Sequence, residues 1–272
     1  MSVLEAIVLG IAQGLTEFLP ISSTAHLRIV PAFAGWEDPG ALFTAVIQLG
    51  TMVAVVIYFW RDLLRITRTW LASLRRPELR GELDARMGWY VIIATIPIGV
   101  FRLAFNDQIE NGARNLYLIG TVLIVLGLVL AVADRVGRRV RSVDDVNRTD
   151  AIWVGIAQAL ALIPGTSRSG ATITAGLFLG LKRDAAARFS FLLSIPAIVL
   201  SGLYGLTELI TGDDTVSFGA LALATVVAFV FGYVAIAFLL RYLANHSMMI
   251  FVIYRVVLGV IVLALAGAGT IS

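Results

Sequence analysis

Residues 151–169 read Ala-Ile-Trp-Val-Gly-Ile-Ala-Gln-Ala-Leu-Ala-Leu-Ile-Pro-Gly-Thr-Ser-Arg-Ser, an apolar run cut at Pro164-Gly165 and followed by hydroxyls around Arg168. A helix crosses a bilayer on about 20 consecutive apolar residues. A segment broken here, with its second leg at Ser169 to Leu181, therefore reads as a re-entrant hairpin rather than a span. The same pattern stands earlier in the chain, at Ala6 to Thr16. Gly10-Ile-Ala-Gln13 and Gly155-Ile-Ala-Gln158 match at an offset of 145, and each is followed by a Pro and then a hydroxyl cluster, Pro20-Ile-Ser-Ser-Thr24 and Pro164-Gly-Thr-Ser-Arg-Ser169. Phe43-Thr44 and Tyr58 match Phe189-Ser190 and Tyr204 at an offset of 146. The expectation is one membrane domain built from two repeats, residues 1–145 and 146–272, each a hairpin plus three spans. An odd number of crossings puts the second copy in upside down.

Composition agrees. The chain has 272 residues, 59% hydrophobic and 14% charged, with a mean hydropathy of +0.91, where a soluble domain carries roughly 25% charged residues. This excludes a water-soluble globular enzyme, and the uninterrupted apolar runs exclude disordered, collagen-like and coiled-coil chains. Uncharged runs at Ala41 to Trp60, Asn115 to Ala133, Phe189 to Thr207 and Thr215 to Leu240, with weaker ones at Met87 to Phe101 and Val256 to Ser272, make six spans. The fold expected is an all-α integral membrane protein of six spanning helices plus two re-entrant helix hairpins, in an inverted-topology repeat. No cysteine is present, so thiol nucleophiles, disulfides and cysteine metal sites are excluded. Met1 to Gly14 has Glu5 and no base ahead of its apolar stretch, unlike a cleaved signal peptide.

The net charge of +3 is an orientation signal rather than a nucleic-acid footprint. Basic residues gather at Arg61 to Arg86, Arg135 to Arg148, Lys182 to Arg188 and Arg241, whereas Asp107, Glu110, Asp213 and Asp214 fall in the opposite loops beside Arg114. Positive-inside then places both termini outside. The hairpins enter from opposite sides, so their tips meet near the midplane. The basic, amphipathic stretch Arg61 to Arg86 reads as an anchor on the anionic cytoplasmic leaflet.

Polar groups at membrane depth are expensive, so a polar cluster there is a functional candidate. Gln13, Glu17, Ser22, Ser23, Thr24 and His26 form one cluster, with Gln13 and Glu17 spaced i, i+4 on one helical face. Thr166, Ser167, Arg168, Ser169 and Thr172 form another, at a break that opens a helix and exposes N–H groups and a positive dipole end. With Arg168, that describes an anion site suited to phosphate. Ser, Thr and Gln also mediate helix packing in membranes, and Gln13 has a counterpart in Gln158. Glu17 has none, because Leu162 stands at the equivalent position; an acid kept in one repeat points to chemistry. His246 reads as a solvated turn residue. Arg255 is expected to bind a headgroup, to pair with an acid such as Glu17 or to serve structure, with the last two preferred.

Gln13-Gly-Leu-Thr-Glu17, Pro20-Ile-Ser-Ser-Thr-Ala-His26 and Pro164-Gly-Thr-Ser-Arg-Ser-Gly-Ala-Thr172 resemble the signatures of the undecaprenyl-pyrophosphate phosphatase family, also known for bacitracin resistance, over nearly the whole chain. The first motif position is Gln13 where the family has Glu or Gln. Phosphatidic-acid-type lipid phosphatases use a second His downstream of Ser-Arg, and none lies between His26 and His246.

The resemblance implies hydrolysis of undecaprenyl pyrophosphate to the monophosphate carrier of peptidoglycan synthesis, in the bacterial cytoplasmic membrane, with the site opening to the periplasmic face. Ser23 is expected to attack the terminal phosphorus, with His26 the alternative nucleophile. Glu17 would act as base or metal ligand, and Arg168 with the Ser167 to Thr172 backbone would hold the equatorial oxygens. His26 would otherwise protonate a leaving oxygen or position Ser23. Substrate contacts are expected from Gln13, Ser22, Thr24, Ser167, Ser169, Gly170 and Thr172, and a divalent cation, Mg or Ca, from Glu17 and Gln13. Partners expected are a polyprenyl pyrophosphate lipid and the bilayer, with a homodimer open and no nucleic acid. The competing class is an inverted-repeat secondary transporter or polyprenyl-phosphate flippase.

Overall fold

The structure, a computed structural model, describes residues 1–104, 115–211 and 217–271. Through them run α1 (Val3–Phe18), α2 (Ser23–Ala34), α3 (Gly40–Tyr58), α4 (Trp60–Arg75), α5 (Leu83–Ala104), α6 (Leu116–Val136), α7 (Arg148–Ala159), α8 (Arg168–Phe178), α9 (Arg183–Thr211), α10 (Phe218–Leu243) and α11 (Met249–Gly267). No strand occurs among the described residues beyond an isolated bridge between Arg141 and Leu181. Helix starts follow the caps that the sequence offers. The Ser2 hydroxyl accepts from the Glu5 N–H at 3.2 Å while Glu5 accepts from the Ser2 N–H at 2.7 Å, and Asn147 with Asp150 closes the same box on α7.

α5, α6, α10 and α11 are each long and apolar enough to cross a membrane; α3 joins them if counted with α4, from which it bends by 76°. This is a multi-pass membrane protein, and the outward valines Val100, Val125, Val132, Val226 and Val257 are exposed as lipid-facing side chains are. The expected spans Met87 to Phe101, Asn115 to Ala133, Thr215 to Leu240 and Val256 to Ser272 fall on α5, α6, α10 and α11 over their described residues, with Thr215, Val216 and Ser272 outside these. Ala41 to Trp60 falls on α3, and Phe189 to Thr207 lies in α9, whose side chains are described in part. Asp107, Glu110, Arg114, Asp213 and Asp214 lie outside the described residues.

Helix packing pairs the two halves of the chain. α1 lies on α10 and α7 on α5, α6 packs along α11, and α3 touches α9 and α10. The duplicated glycines set two of these crossings. A Cβ on Gly10 would lie 2.6 Å from the Ala224 carbonyl oxygen, and one on Gly155 would lie 2.6 Å from Ala94 Cα. Small residues let helix backbones approach this closely in lipid, where association rests on contact rather than on hydrophobic exclusion. Phe18, Phe59 and Phe191 fill the centre, with Phe18 edge-on to Phe191 at 5.3 Å between ring centroids. At one end Arg183 Nε donates to Asp134 at 2.5 Å, and Asp134 also accepts from the Met248 N–H at 3.1 Å, tying α6, α9 and α11. In the adjoining loop Arg141 donates to Asp150 and to the Leu179 carbonyl. There the Ser142 N–H and hydroxyl hold the Asp145 carboxyl below the ordinary carboxylate range.

Candidate active site

The site lies where the two chain breaks meet. α1 ends at Phe18, α2 begins at Ser23, and the serine between them, Ser22, sits at φ 74° and ψ 102°. At the second break Ser167 sits at φ 66° and ψ 111° before α8. Both are non-glycine residues on the left-handed side of φ, a conformation that costs of order 1–3 kcal/mol and clusters at functional sites. The matching extends to the caps. Ser22 Oγ accepts from the Ala25 N–H at 3.4 Å and lies 3.2 Å from Thr24 Oγ1; Ser167 Oγ accepts from the Gly170 N–H at 3.1 Å and lies 3.1 Å from Ser169 Oγ. Each turn thus opens a helix whose first N–H groups, at Ser23 and Thr24 or at Arg168 and Ser169, have no carbonyl within the helix to bind. Ser169 Oγ donates to the Leu19 carbonyl at 3.0 Å, which joins one break to the other.

The Glu17 carboxylate is the hub. Ser23 Oγ donates to Oε2 at 2.6 Å and Gln13 Nε2 donates to the same oxygen at 3.0 Å. Gln48 Nε2 lies 3.3 Å from both oxygens, and Arg168 Nη2 forms a buried ion pair with Oε1. A carboxylate, a hydroxyl and a guanidinium are therefore already gathered, the last two both held on Glu17. The 2.6 Å contact points the Ser23 hydroxyl proton at the Glu17 carboxyl.

Other candidate residues are placed differently. Both His26 nitrogens are engaged, Nδ1 with the Ser22 carbonyl at 2.7 Å and Nε2 with the Tyr254 hydroxyl at 2.7 Å. The carbonyl can only accept, so Nδ1 carries the proton and Nε2 accepts from Tyr254. His26 makes no hydrogen bond to Ser23 or Glu17; its ring is held between the Ser22 carbonyl and Tyr254. Thr172 faces away, bonding Ser190 Oγ at 2.6 Å and the carbonyls of Arg168 and Ser169. Gln158 donates to the Ala94 carbonyl at 3.1 Å across the α7–α5 crossing, the packing role expected of it, whereas Gln13 turns to Glu17.

Of the roles expected for Arg255, pairing with an acid is not found among the described residues, and main-chain contacts of a structural kind are. Arg255 is 1% exposed and makes no ion pair among the described residues, because Glu17 is taken by Arg168. Its guanidinium donates to the carbonyls of Leu123, Pro20, Gly165 and Thr166. Two site residues escaped the sequence reading. Gln48 is a lone amide in the apolar run of α3, a signal that was available, and Tyr254 is an aromatic in an apolar span with nothing to mark it.

A carboxylate, a serine and an arginine gathered in the interior, where the end of α1 meets the starts of α2 and α8, define a membrane protein with a polar site inside it. The chain belongs to the BacA family: the family model described as "Bacitracin resistance protein BacA" matches residues 6–261. A protein of Nocardioides sp. named "Undecaprenyl-diphosphatase" is 55% identical over 269 residues, which cover 99% of this chain and 98% of that protein. Proteins of the same name from Mycolicibacterium smegmatis and Thermobifida fusca are 56% and 53% identical, covering 100% of this chain and 99% and 93% of theirs.

Proposed function

We propose that this chain hydrolyses undecaprenyl pyrophosphate to undecaprenyl phosphate and inorganic phosphate, returning the lipid carrier to peptidoglycan synthesis and conferring bacitracin resistance. The relatives' shared name supports the activity, and the observation that carries the mechanism is Ser23 Oγ donating to a Glu17 carboxylate that Arg168 also holds. Glu17 takes the Ser23 proton as Oγ attacks the terminal phosphorus. The bond from that phosphorus to the bridging oxygen breaks, and undecaprenyl phosphate leaves with the electron pair. Water then attacks the phosphoserine, releases phosphate and restores the hydroxyl. Arg168 and the first-turn N–H groups of α2 and α8 stabilise the equatorial oxygens. Ser23 is preferred to His26 as nucleophile because the His26 Nε2 lone pair is occupied by Tyr254.

A divalent cation, Mg or Ca, belongs to this proposal. Gln13 Oε1 is buried without a hydrogen-bond partner among the described residues and neighbours Glu17. These two oxygens are fewer than a protein cage needs, and no group of three His, Cys, Asp or Glu comes together among the described residues. They fit a cation that takes its remaining ligands from pyrophosphate and water, as Mg commonly does. Bound there, the ion supplies neutralisation of the pyrophosphate charge.

The topology proposed is six spans and two re-entrant hairpins in inverted repeats 1–145 and 146–272, in the bacterial inner membrane, with both termini outside and the pocket open to the periplasm. The matched turns at Ser22 and Ser167 and the exchanged packing of α1 on α10 and α7 on α5 support it. The same duplication suits a transporter or flippase, but Glu17 has Leu162 as its counterpart in the other repeat, an asymmetry that a carrier does not need.

The test is release of terminally labelled phosphate from polyprenyl pyrophosphate by the detergent-purified protein, followed by an acid quench. Expected are turnover by the parent chain and an acid-stable phosphoserine that Ser23→Ala abolishes. Absence of turnover under any metal condition sinks the enzyme reading. An acid-labile adduct persisting in Ser23→Ala transfers the nucleophile to His26.

A further inference from the structure

We propose that Arg255 is a positioning residue for the hydrolysis, a single guanidinium that fixes the two chain breaks against each other and so sets Ser23 opposite Arg168; this rests on the phosphatase reading above. Its Nη1 donates to the Pro20 carbonyl at 3.2 Å, two residues before Ser22. Its Nη2 donates to the carbonyls of Gly165 at 3.4 Å and Thr166 at 3.1 Å, immediately before Ser167. Pro20 and Gly165 are equivalent at the repeat offset of 145, so the two arms of one side chain grip the same carbonyl in each half. Nε reaches the Leu123 carbonyl at 3.2 Å and anchors the fork to α6.

The chemistry of the breaks requires such a group. Carbonyls freed by an interrupted helix have no water to bind inside a bilayer and must find a donor in the protein. A planar guanidinium with five fixed N–H groups can satisfy four carbonyls from three segments, whereas a lysine ammonium is a point donor that cannot span them. The fit is close. A Cβ on Gly170 would lie 2.8 Å from Arg255 Nη1, so the first turn of α8 is bare where the guanidinium passes beneath it. Arg255 touches neither Glu17 nor Ser23; its influence on the reaction passes through the Ser22 and Ser167 turns.

Misplacing reacting groups by about 1 Å costs of order a hundredfold in rate. Arg255→Ala and Arg255→Lys are therefore expected to lower kcat by about a hundredfold, with KM within about threefold of the parent. Activity is expressed per folded molecule, taken from the monodisperse fraction with a cooperative melt. Millimolar guanidinium is expected to restore kcat of Arg255→Ala at least tenfold and saturably, while methylammonium of equal charge does not. Gly170→Ala, which pushes a methyl onto Nη1, should reproduce the kcat loss and covers the case in which the arginine variants fail to fold. The proposal is overturned if the folded variants keep kcat within about threefold of the parent, or if methylammonium rescues as well as guanidinium. A parent chain that releases no phosphate instead defeats the phosphatase reading itself.

Discussion

Substituting Glu17 by Gln removes one charge and almost no volume from the centre of the site, and the structure assigns opposite consequences to chemistry and to binding. The proton of Ser23 loses its acceptor, since the 2.6 Å contact then ends on an amide. General-base catalysis contributes roughly 10² to 10⁴ in rate, so kcat should fall by that factor, or about 3 to 5 kcal/mol of transition-state stabilisation at 1.36 kcal/mol per tenfold. Arg168 meanwhile loses its partner. Its ion pair with Glu17 is nearly closed to solvent, with the two side chains 13% and 3% exposed, and an incoming pyrophosphate must compete with that carboxylate for the guanidinium. Hydrogen bonds to charged groups are worth about 1.5 to 3 kcal/mol, so releasing Arg168 should tighten the anion roughly ten- to a hundredfold. The assay pairs single-turnover phosphate release with inhibition by a non-hydrolysable polyprenyl methylenediphosphonate, the inhibition measured in chelator so that no cation bridges position 17 to the analogue. A slow enzyme that binds the analogue more tightly is the expected result. Weaker analogue binding in the folded variant would refute the competition, and unchanged kcat would refute Glu17 as base.

Two further perturbations separate the remaining parts. Tyr254→Phe keeps the ring stacked on His26 but removes the 2.7 Å hydroxyl contact to Nε2; kcat should fall roughly two- to tenfold, the worth of one hydrogen bond, and an unchanged rate would detach Tyr254 from the site. Because the chain has no cysteine, single cysteines report topology without a cysteine-free background. Ser2→Cys should react with an impermeant maleimide on intact cells and Asn245→Cys only after permeabilisation; the reverse pattern would invert the proposed orientation.

Much of this architecture was readable from the chain because lipid is a strict solvent. An apolar run of about 20 residues has few alternatives to a helix, and α6 and α10 lie on two of the uncharged runs. The broken segments were equally visible, since Pro20 and Pro164 interrupt repeated motifs, and Glu17, Ser23 and Arg168 do converge. What escaped is what rests on main-chain groups or long-range contacts. The Arg255 ligands are carbonyl oxygens, which every residue carries and no sequence distinguishes, so an arginine in a span suggested an acid partner. His26 stood three residues from Ser23 and invited a catalytic reading. Its ring is held by the i, i+4 carbonyl of Ser22 and by a tyrosine 228 residues away, a partner that no local pattern announces.

The paired serines with positive φ carry a consequence for engineering. Glycine adopts such angles freely, so Gly at positions 22 and 167 would relieve strain at both turns. It would also delete hydroxyls that accept from the Ala25 and Gly170 N–H groups. A selection scored on heat resistance would be drawn to those two substitutions, and one scored on turnover would be driven back to serine. Libraries built from this chain should hold positions 22 and 167 fixed and seek stabilisation on the lipid-facing helices, where side chains make no contact with either turn.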